Sequence, residues 1–152
     1  MKLKEFLNQI QGKFPGKILD INELKSKRAL VRIPPDALLE VAEYLFKEKE
    51  CRFIIASGMD SKEGLEILYH FSYDPEGFVI NVQVILPREK PEIESLTGLF
   101  EAADWIEREI REILGINFLN HKELKPLVSA GNWNDGEYPY RRSQNGTEPM
   151  KS

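Results

Sequence analysis

Two histidines, one cysteine and a crowd of carboxylates are the side chains of this 152-residue sequence that could carry chemistry. A hydrolase or transferase needs a nucleophile or base held by partners at set spacing. His70 falls in the middle of an alternating segment and His121 opens a short stretch of helical pattern. Neither stands at a recognisable metal-ligand spacing, so metal binding through both is rejected. Ser57-Gly58-Met59-Asp60 follows an apolar run, where active-site loops often sit. It lacks the glycines of a phosphate cradle and the Gly-x-Ser-x-Gly nucleophile turn, and reads as a polar loop. Cys51 reads as a small buried hydrophobe; alone, it can form no internal disulfide and cannot ligate an iron–sulfur cluster. Glu107, Glu109 and Glu112 lie close together, but an acid–base pair needs environments that split the two pKa values. Arg108 and Arg111 beside them point to salt bridging instead. The sequence thus offers no catalytic, cofactor-binding or metal-ligating residue.

A different chemistry is written near the end. Trp133, Tyr138 and Tyr140 stand beside Arg141 and Arg142, with Pro139 stiffening the backbone. Aromatics and arginine carry most of the binding energy at protein interfaces, so this stretch reads as a partner-binding anchor. Too few apolar residues remain there for a separate core. Residues 131–152 are therefore expected to form an extended partner-binding tail, with the polar run from Ser143 to Ser152 disordered.

The elements that must position these residues follow from periodicity. Trp105, Ile106, Ile110, Ile113 and Leu114 recur at helical spacing opposite Glu107, Arg108, Glu109, Arg111 and Glu112, which predicts an amphipathic helix beginning near Leu99. Gly115 closes it, and a second short helical piece is expected from His121 to Val128. Upstream, Leu3–Ile10 suggests a short helix, and Lys17–Ile21 and Ala29–Ile33 suggest two strands. Pro34-Pro35-Asp36 opens a helix running to about Lys49 that buries Leu38, Leu39, Ala42, Leu45 and Phe46. The apolar run from Cys51 to Ala56 reads as a central strand covered on both faces. Leu65, Ile67, Tyr69, Phe71 and Tyr73 then alternate with more polar neighbours, Asp74-Pro75-Glu76-Gly77 turns the chain, and Phe78, Ile80, Val82, Val84 and Leu86 return. Together these predict an α+β fold. Residues 1–130 form a single domain with a mixed or antiparallel sheet of about four or five strands and packed helices.

Bulk composition narrows the class of partner. A 41% hydrophobic and 30% charged sequence with net charge −4 and pI near 5.4 has no basic stripe, which argues against nucleic acid. The N-terminal stretch lacks the apolar core of a signal peptide, and no apolar run is long enough to cross a bilayer. The expected location is the cytoplasm, on the cytoplasmic side of the cell membrane, with membrane association only through partners.

The order of residues around the charged helix adds a family. Glu107-Arg108-Glu109, Glu112, Ile113-Leu114, Gly115-Ile116-Asn117-Phe118, His121, Leu124-Lys125 and Leu127-Val128 fix about a dozen positions. Together they resemble the 30 kDa subunit of respiratory complex I, the NADH-quinone oxidoreductase, a family whose relatives also occur in membrane-bound [NiFe] hydrogenase complexes. The resemblance reaches upstream through Ser95–Phe100 and Ala102–Trp105 and, more loosely, downstream to Trp133, Pro139, Arg141 and Arg142. It implies a non-catalytic structural subunit of the peripheral arm, without a cofactor of its own. Such a subunit docks on the large catalytic subunit and neighbours an iron–sulfur subunit. Glu107, Arg108, Glu109 and Glu112 would supply ion pairs within the subunit or across the interface. His121, Lys125 and the tail residues Trp133, Tyr138, Tyr140, Arg141 and Arg142 would belong to the partner-binding set.

The sequence departs from respiratory members in two places. They continue after the tryptophan as a compact glycine, proline, leucine, arginine, lysine ending; here Asn134–Tyr138 intervenes before Pro139, Tyr140 replaces the leucine and Arg142 the lysine. The chain is also short. Both features lean towards a hydrogenase-type or ferredoxin-linked complex, with respiratory NADH:quinone oxidoreductase as the alternative. A reading of another class is a small stand-alone enzyme using the Ser57–Asp60 loop with His70 or His121, which requires a concave pocket beside that loop. The docking reading predicts self-association of the isolated chain through the surface its partner covers.

Overall fold

The computed structural model describes residues 1–121. In chain order its elements are α1 (Leu3–Lys13), β1 (Asp20–Leu24), β2 (Arg28–Arg32), a 3-10 turn (Pro35–Ala37) and α2 (Leu38–Glu43). A π-helical stretch (Tyr44–Glu48) follows α2, and then come β3 (Arg52–Asp60), β4 (Leu65–Tyr73), β5 (Phe78–Leu86), β6 (Glu92–Glu94), α3 (Ala102–Leu114) and β7 (Asn117–Leu119). Five strands form one sheet in the order β1-β2-β5-β4-β3, and β6 pairs with β7 in a second, parallel sheet of two. Within the large sheet β1 runs antiparallel to β2 and β2 parallel to β5, so the predicted α+β class with a mixed sheet of that size is what forms.

The β4–β5 hairpin follows the sequence closely. Alternation buries Leu65, Ile67, Tyr69 and Phe71 on one strand and Phe78, Ile80, Val82, Val84 and Leu86 on the other. Gly77, at φ 70°, closes the turn by donating its N–H to the Tyr73 carbonyl at 2.9 Å. A connection this short joins antiparallel neighbours.

The expectation of a central strand at Cys51–Ala56 is corrected: β3 lies at the sheet edge, with Ile54 and Ile55 44% and 47% exposed. An uninterrupted apolar run cannot distinguish a strand covered on both faces from an edge that leaves apolar side chains open. Ser57–Asp60 is likewise no loop; it continues β3, and the chain turns at residues 61–64.

Contacts gather into two compact units, one of Met1–Ile55 with Leu68–Val84, the other of Ala56–Ile67 with Ile85 onwards. In the first, α1 buries Phe6, Leu7 and Ile10. The Phe6 ring meets Tyr73 and Phe78 at 5.1 and 5.2 Å, within the range where aromatic pairs add to simple burial. The helix opened by Pro35 buries Leu38, Ala42 and Leu45 as expected, but Leu39 is exposed and Phe46 only half-buried. From Tyr44 the turns widen, with the Lys49 N–H reaching the Tyr44 carbonyl at 3.0 Å, so the regular spacing used for the prediction no longer holds.

In the second unit Gly58 sits where a Cβ would come within 2.8 Å of Leu114 and 3.3 Å of Ile110, so glycine lets the β3 backbone and α3 approach closely. Arg88 fastens the β3–β4 turn by donating to Asp60 Oδ1 at 2.7 Å and to the Ser61 carbonyl. Gly115, left-handed at φ 76°, ends α3 as predicted, with its N–H on the Arg111 carbonyl at 2.8 Å. Beyond it Ile116 and Phe118 are buried, and Asn117–Leu119 forms β7. Of the helical piece expected over His121–Val128, His121 is not helical and residues 122–128 lie outside the described residues, as does the 131–152 tail.

Candidate functional site

The polar cluster of the second unit is built on α3. Its buried residues are Ala103, Glu107, Ile110 and Leu114, one helical stripe in which a glutamate occupies a core position, together with Glu112, which lies off that stripe. The apolar stripe read from the sequence is therefore rotated: Trp105 is 62% exposed, and Ile106 and Ile113 are half-buried. A buried polar residue whose bonds are satisfied fills a core position as well as an apolar one does, and apolar periodicity cannot see it.

Glu107 is 1% exposed and well bonded. Its Oε1 accepts from the Ser95 hydroxyl at 2.6 Å and its Oε2 from the Leu96 N–H at 2.8 Å. The Thr97 N–H in turn donates to Ser95 Oγ at 3.1 Å, and the Ser95 and Thr97 hydroxyls lie 2.8 Å apart, so the segment just after β6 presents two donors to the carboxylate and steadies one of them. Burial nonetheless pushes the Glu107 carboxyl up to about 7. The Leu96 and Ser95 bonds oppose that rise, and the Asp104 carboxylate adds to it.

The remaining members face this carboxylate from two directions. Arg108 grips Asp104 through two parallel bonds of 2.9 and 2.8 Å, one helical turn apart on α3. His121, just past β7, brings Nε2 to 3.1 Å from Asp104 Oδ1 and 3.7 Å from Glu107 Oε1, with its side chain 1% exposed. Asn120, at φ 62°, donates to Glu94 Oε1 at 2.6 Å and helps to hold this end of β7. Two carboxylates, a guanidinium and an imidazole thus meet around a buried point. Such a group can hold or give up a proton.

Other sequence candidates stand apart. His70 Nδ1 lies 2.5 Å from Asn81 Oδ1, and Asn81 donates to the Ala29 carbonyl at 3.1 Å. Cys51 is buried, and burial drives its thiol up to about 12, so it is no thiolate nucleophile at neutral pH. Asp60 is taken up by Arg88. A groove of about 700 Å3 in the first unit is lined by Phe14, Leu39 and Tyr44 among charged side chains. None of Ser57–Asp60, His70 or His121 lines it. Among the described residues no group of three or more histidine, cysteine or acidic side chains is arranged to hold a metal ion.

Of the residues expected to bind a partner, Glu107 and Glu112 are buried, Arg108 and Glu109 half-buried, and the His121 side chain is enclosed. Lys125, Trp133, Tyr138, Tyr140, Arg141 and Arg142 lie outside the described residues. Sequence reasoning did not foresee the Ser95 hydroxyl and the Leu96 N–H as partners of Glu107. A detectable signal was Glu107 itself, in phase with Ala103, Ile110 and Leu114.

The described residues thus form a small mixed-sheet α+β fold with a charged cluster on its last described helix. The chain belongs to the family of the 30 Kd subunit of respiratory-chain NADH dehydrogenase, whose model matches residues 31–150. It is 34% identical over 149 residues to a subunit of the F(420)H(2) dehydrogenase of Methanosarcina mazei, covering 96% of this chain and 94% of that one. A subunit of the NADH-quinone oxidoreductase of Moorella thermoacetica is 33% identical over 129 residues, or 83% of this chain and 85% of that one. Among solved structures, the membrane-bound sulfane sulfur reductase, an archaeal respiratory membrane complex, shares the fold with a TM-score of 0.77 at 22% identity. The match covers 91% of this chain and 82% of that one. Among the described residues no helix is long and apolar enough to cross a membrane.

Proposed function

We propose that the chain is a structural subunit in the peripheral arm of a membrane-bound complex-I-like redox complex, where it docks on the large catalytic subunit beside an iron–sulfur subunit. Family membership supplies the assembly; the observation carrying the docking mode is Trp105, 62% exposed on a helix whose inner face is locked by Glu107. A large open aromatic on a rigid element is the usual make-up of an interface hot spot. Arg108 and Glu109 flank it on the accessible side, and the segment Trp133–Arg142 continues the contact. Glu107 and His121 contribute from inside by fixing the helix, buried Glu112 lies two turns along from Trp105, and Lys125 lies between the two contact regions in sequence. Desolvated charge pairs at such a surface set register more than they add affinity.

The nearly full-length likeness to a component of an F(420)H(2) dehydrogenase supports a complex-I-like dehydrogenase. The Asn134–Tyr138 insertion favours a second reading, a hydrogenase-type or ferredoxin-linked complex. Exposed Ile54 and Ile55 on the edge strand favour self-association of the chain when it is isolated.

Affinity purification of the tagged chain from solubilised membranes tests the proposal. Recovery of a large subunit, lost when Trp133–Arg142 is deleted, is the expected result, and nickel in the recovered complex would select the second reading. A lone chain from both membrane and soluble fractions sinks both.

A further inference from the structure

We propose, resting on the proposed docking of α3 by its outer side, that Glu101, Trp105 and Glu109 form a receptor for an arginine side chain of the large subunit. Its guanidinium lies on the exposed indole and donates to the two carboxylates.

Helical geometry sets the three residues in a row. At about 100° and 1.5 Å per residue, Glu101 and Glu109 lie one turn to either side of Trp105, each about 6 Å along the axis and about 40° round from it. Ala103, Glu107, Ile110 and Leu114 turn the opposite side of α3 into the core, so this row faces outward. Trp105 is 62% exposed, Glu101 is exposed and Glu109 half-buried. Ala102, exposed on one flank, is too small to cover the indole.

Charge decides what the row can receive. Among the described residues neither Glu101 nor Glu109 takes part in an ion pair, so both carboxylates are open to a cation. The other charged groups of α3 are placed differently: Arg108 grips Asp104 through two bonds, Glu107 and Glu112 are buried, and Arg111 lies about 120° round the helix from Trp105. An apolar pocket in the partner would cover the indole but would also strip water from two carboxylates without a counter-charge, which is costly. A cation meets both demands, because the face of an indole attracts positive charge and the carboxylates pair with it. Of the two basic side chains, arginine fits. Its planar guanidinium can stack on the ring while its N–H groups fan out in the plane to acceptors on either side, whereas an ammonium is a compact, strongly hydrated point charge.

Recovery of the large subunit with the tagged chain from solubilised membranes, followed against rising salt, tests this in the assembled complex. The double variant Glu101→Gln with Glu109→Gln should recover at least about tenfold less. Trp105→Leu should fall as far although leucine is apolar, and Trp105→Phe, whose ring attracts a cation more weakly, should fall between. Thermal melts of the isolated variants should match the unsubstituted chain, since the three side chains lie outside the core. In the unsubstituted complex an arginine of the large subunit should resist a dicarbonyl reagent and react once the chain is stripped away, a result that decides the matter even if a variant fails to fold. Loss with Trp105→Leu alone, the glutamine pair recovering normally, overturns the arginine and leaves docking through α3 standing. Normal recovery of every variant overturns docking through α3 and the arginine with it. A zero-length carbodiimide link from Glu101 or Glu109 to a lysine of the large subunit overturns the choice of arginine, as does a complex in which no arginine is shielded.

Discussion

His70 and His121 occupy two kinds of polar site, one in each compact unit. Asn81 donates its amide nitrogen to the Ala29 carbonyl, which turns its amide oxygen towards His70 and makes His70 Nδ1 the donor. Every partner there is neutral, and the ladder of bonds joins β2, β5 and β4 as a fixed strut. His121 instead faces carboxylates, one gripped by an arginine and the other buried. The two sites differ in the charge of the neighbours: an amide and a carbonyl surround His70, two carboxylates face His121.

Removing the anchor of each site should expose that contrast. Glu107→Ala takes the acceptor from the Ser95 hydroxyl and the Leu96 N–H and leaves a gap beside Ile110, which should cost about 3 kcal/mol or more. Urea unfolding at pH 6 reads it. An unchanged midpoint would show that the cluster contributes nothing.

A slightly smaller effect is expected from pH. The native Glu107 carboxyl rises from 4.5 to about 7, so between these values the folded chain holds a proton that the unfolded chain has released. Stability from this group is full below about pH 4.5 and falls as pH rises towards 7. The loss should amount to about 3 kcal/mol across that window. Subtracting the same profile for Glu107→Gln isolates it. A difference that is flat, or that rises with pH, contradicts the assignment.

Asn81→Ala should cost about 1 to 2 kcal/mol, because the Ala29 carbonyl and the His70 donor lose a neutral partner. Urea unfolding reads it, and an unchanged midpoint would show that these bonds contribute nothing. Gly58→Ala presses a methyl against Leu114 and Ile110 and should cost about 1 kcal/mol, read as a lower melting temperature. Arg52→Ala removes an exposed pair with Asp74 and should leave the melting temperature unchanged.

How far the sequence revealed each site follows from the same physics. The hairpin was legible because period-2 alternation and an Asp-Pro-Glu-Gly turn are local signals, and the left-handed Gly115 ended α3 where its type required. Burial of Glu107 was not legible, since its stabilising donors come from Ser95 and Leu96, eleven or twelve residues away, and a glutamate on a helix ordinarily faces water. The same misjudgement put Trp105 in the core: counting only apolar residues shifted the stripe towards it. The edge position of β3 depends on strand order, which no local pattern states. The order of residues from Glu107 to His121 nevertheless marked this region as the distinctive one, because that order fixes the family even where it hides the geometry.

Docking through the open side of α3 is the central claim, and hydroxyl-radical footprinting tests it most directly. The isolated chain and the purified membrane complex would be oxidised side by side and the modification rate of each aromatic compared. Trp105, 62% exposed, should react quickly in the isolated chain and several-fold more slowly in the complex, with Trp133, Tyr138 and Tyr140 protected alongside it. Tyr69, at 1% exposure, should stay slow in both. Equal oxidation of Trp105 and the three tail aromatics in the two samples would contradict docking through this face.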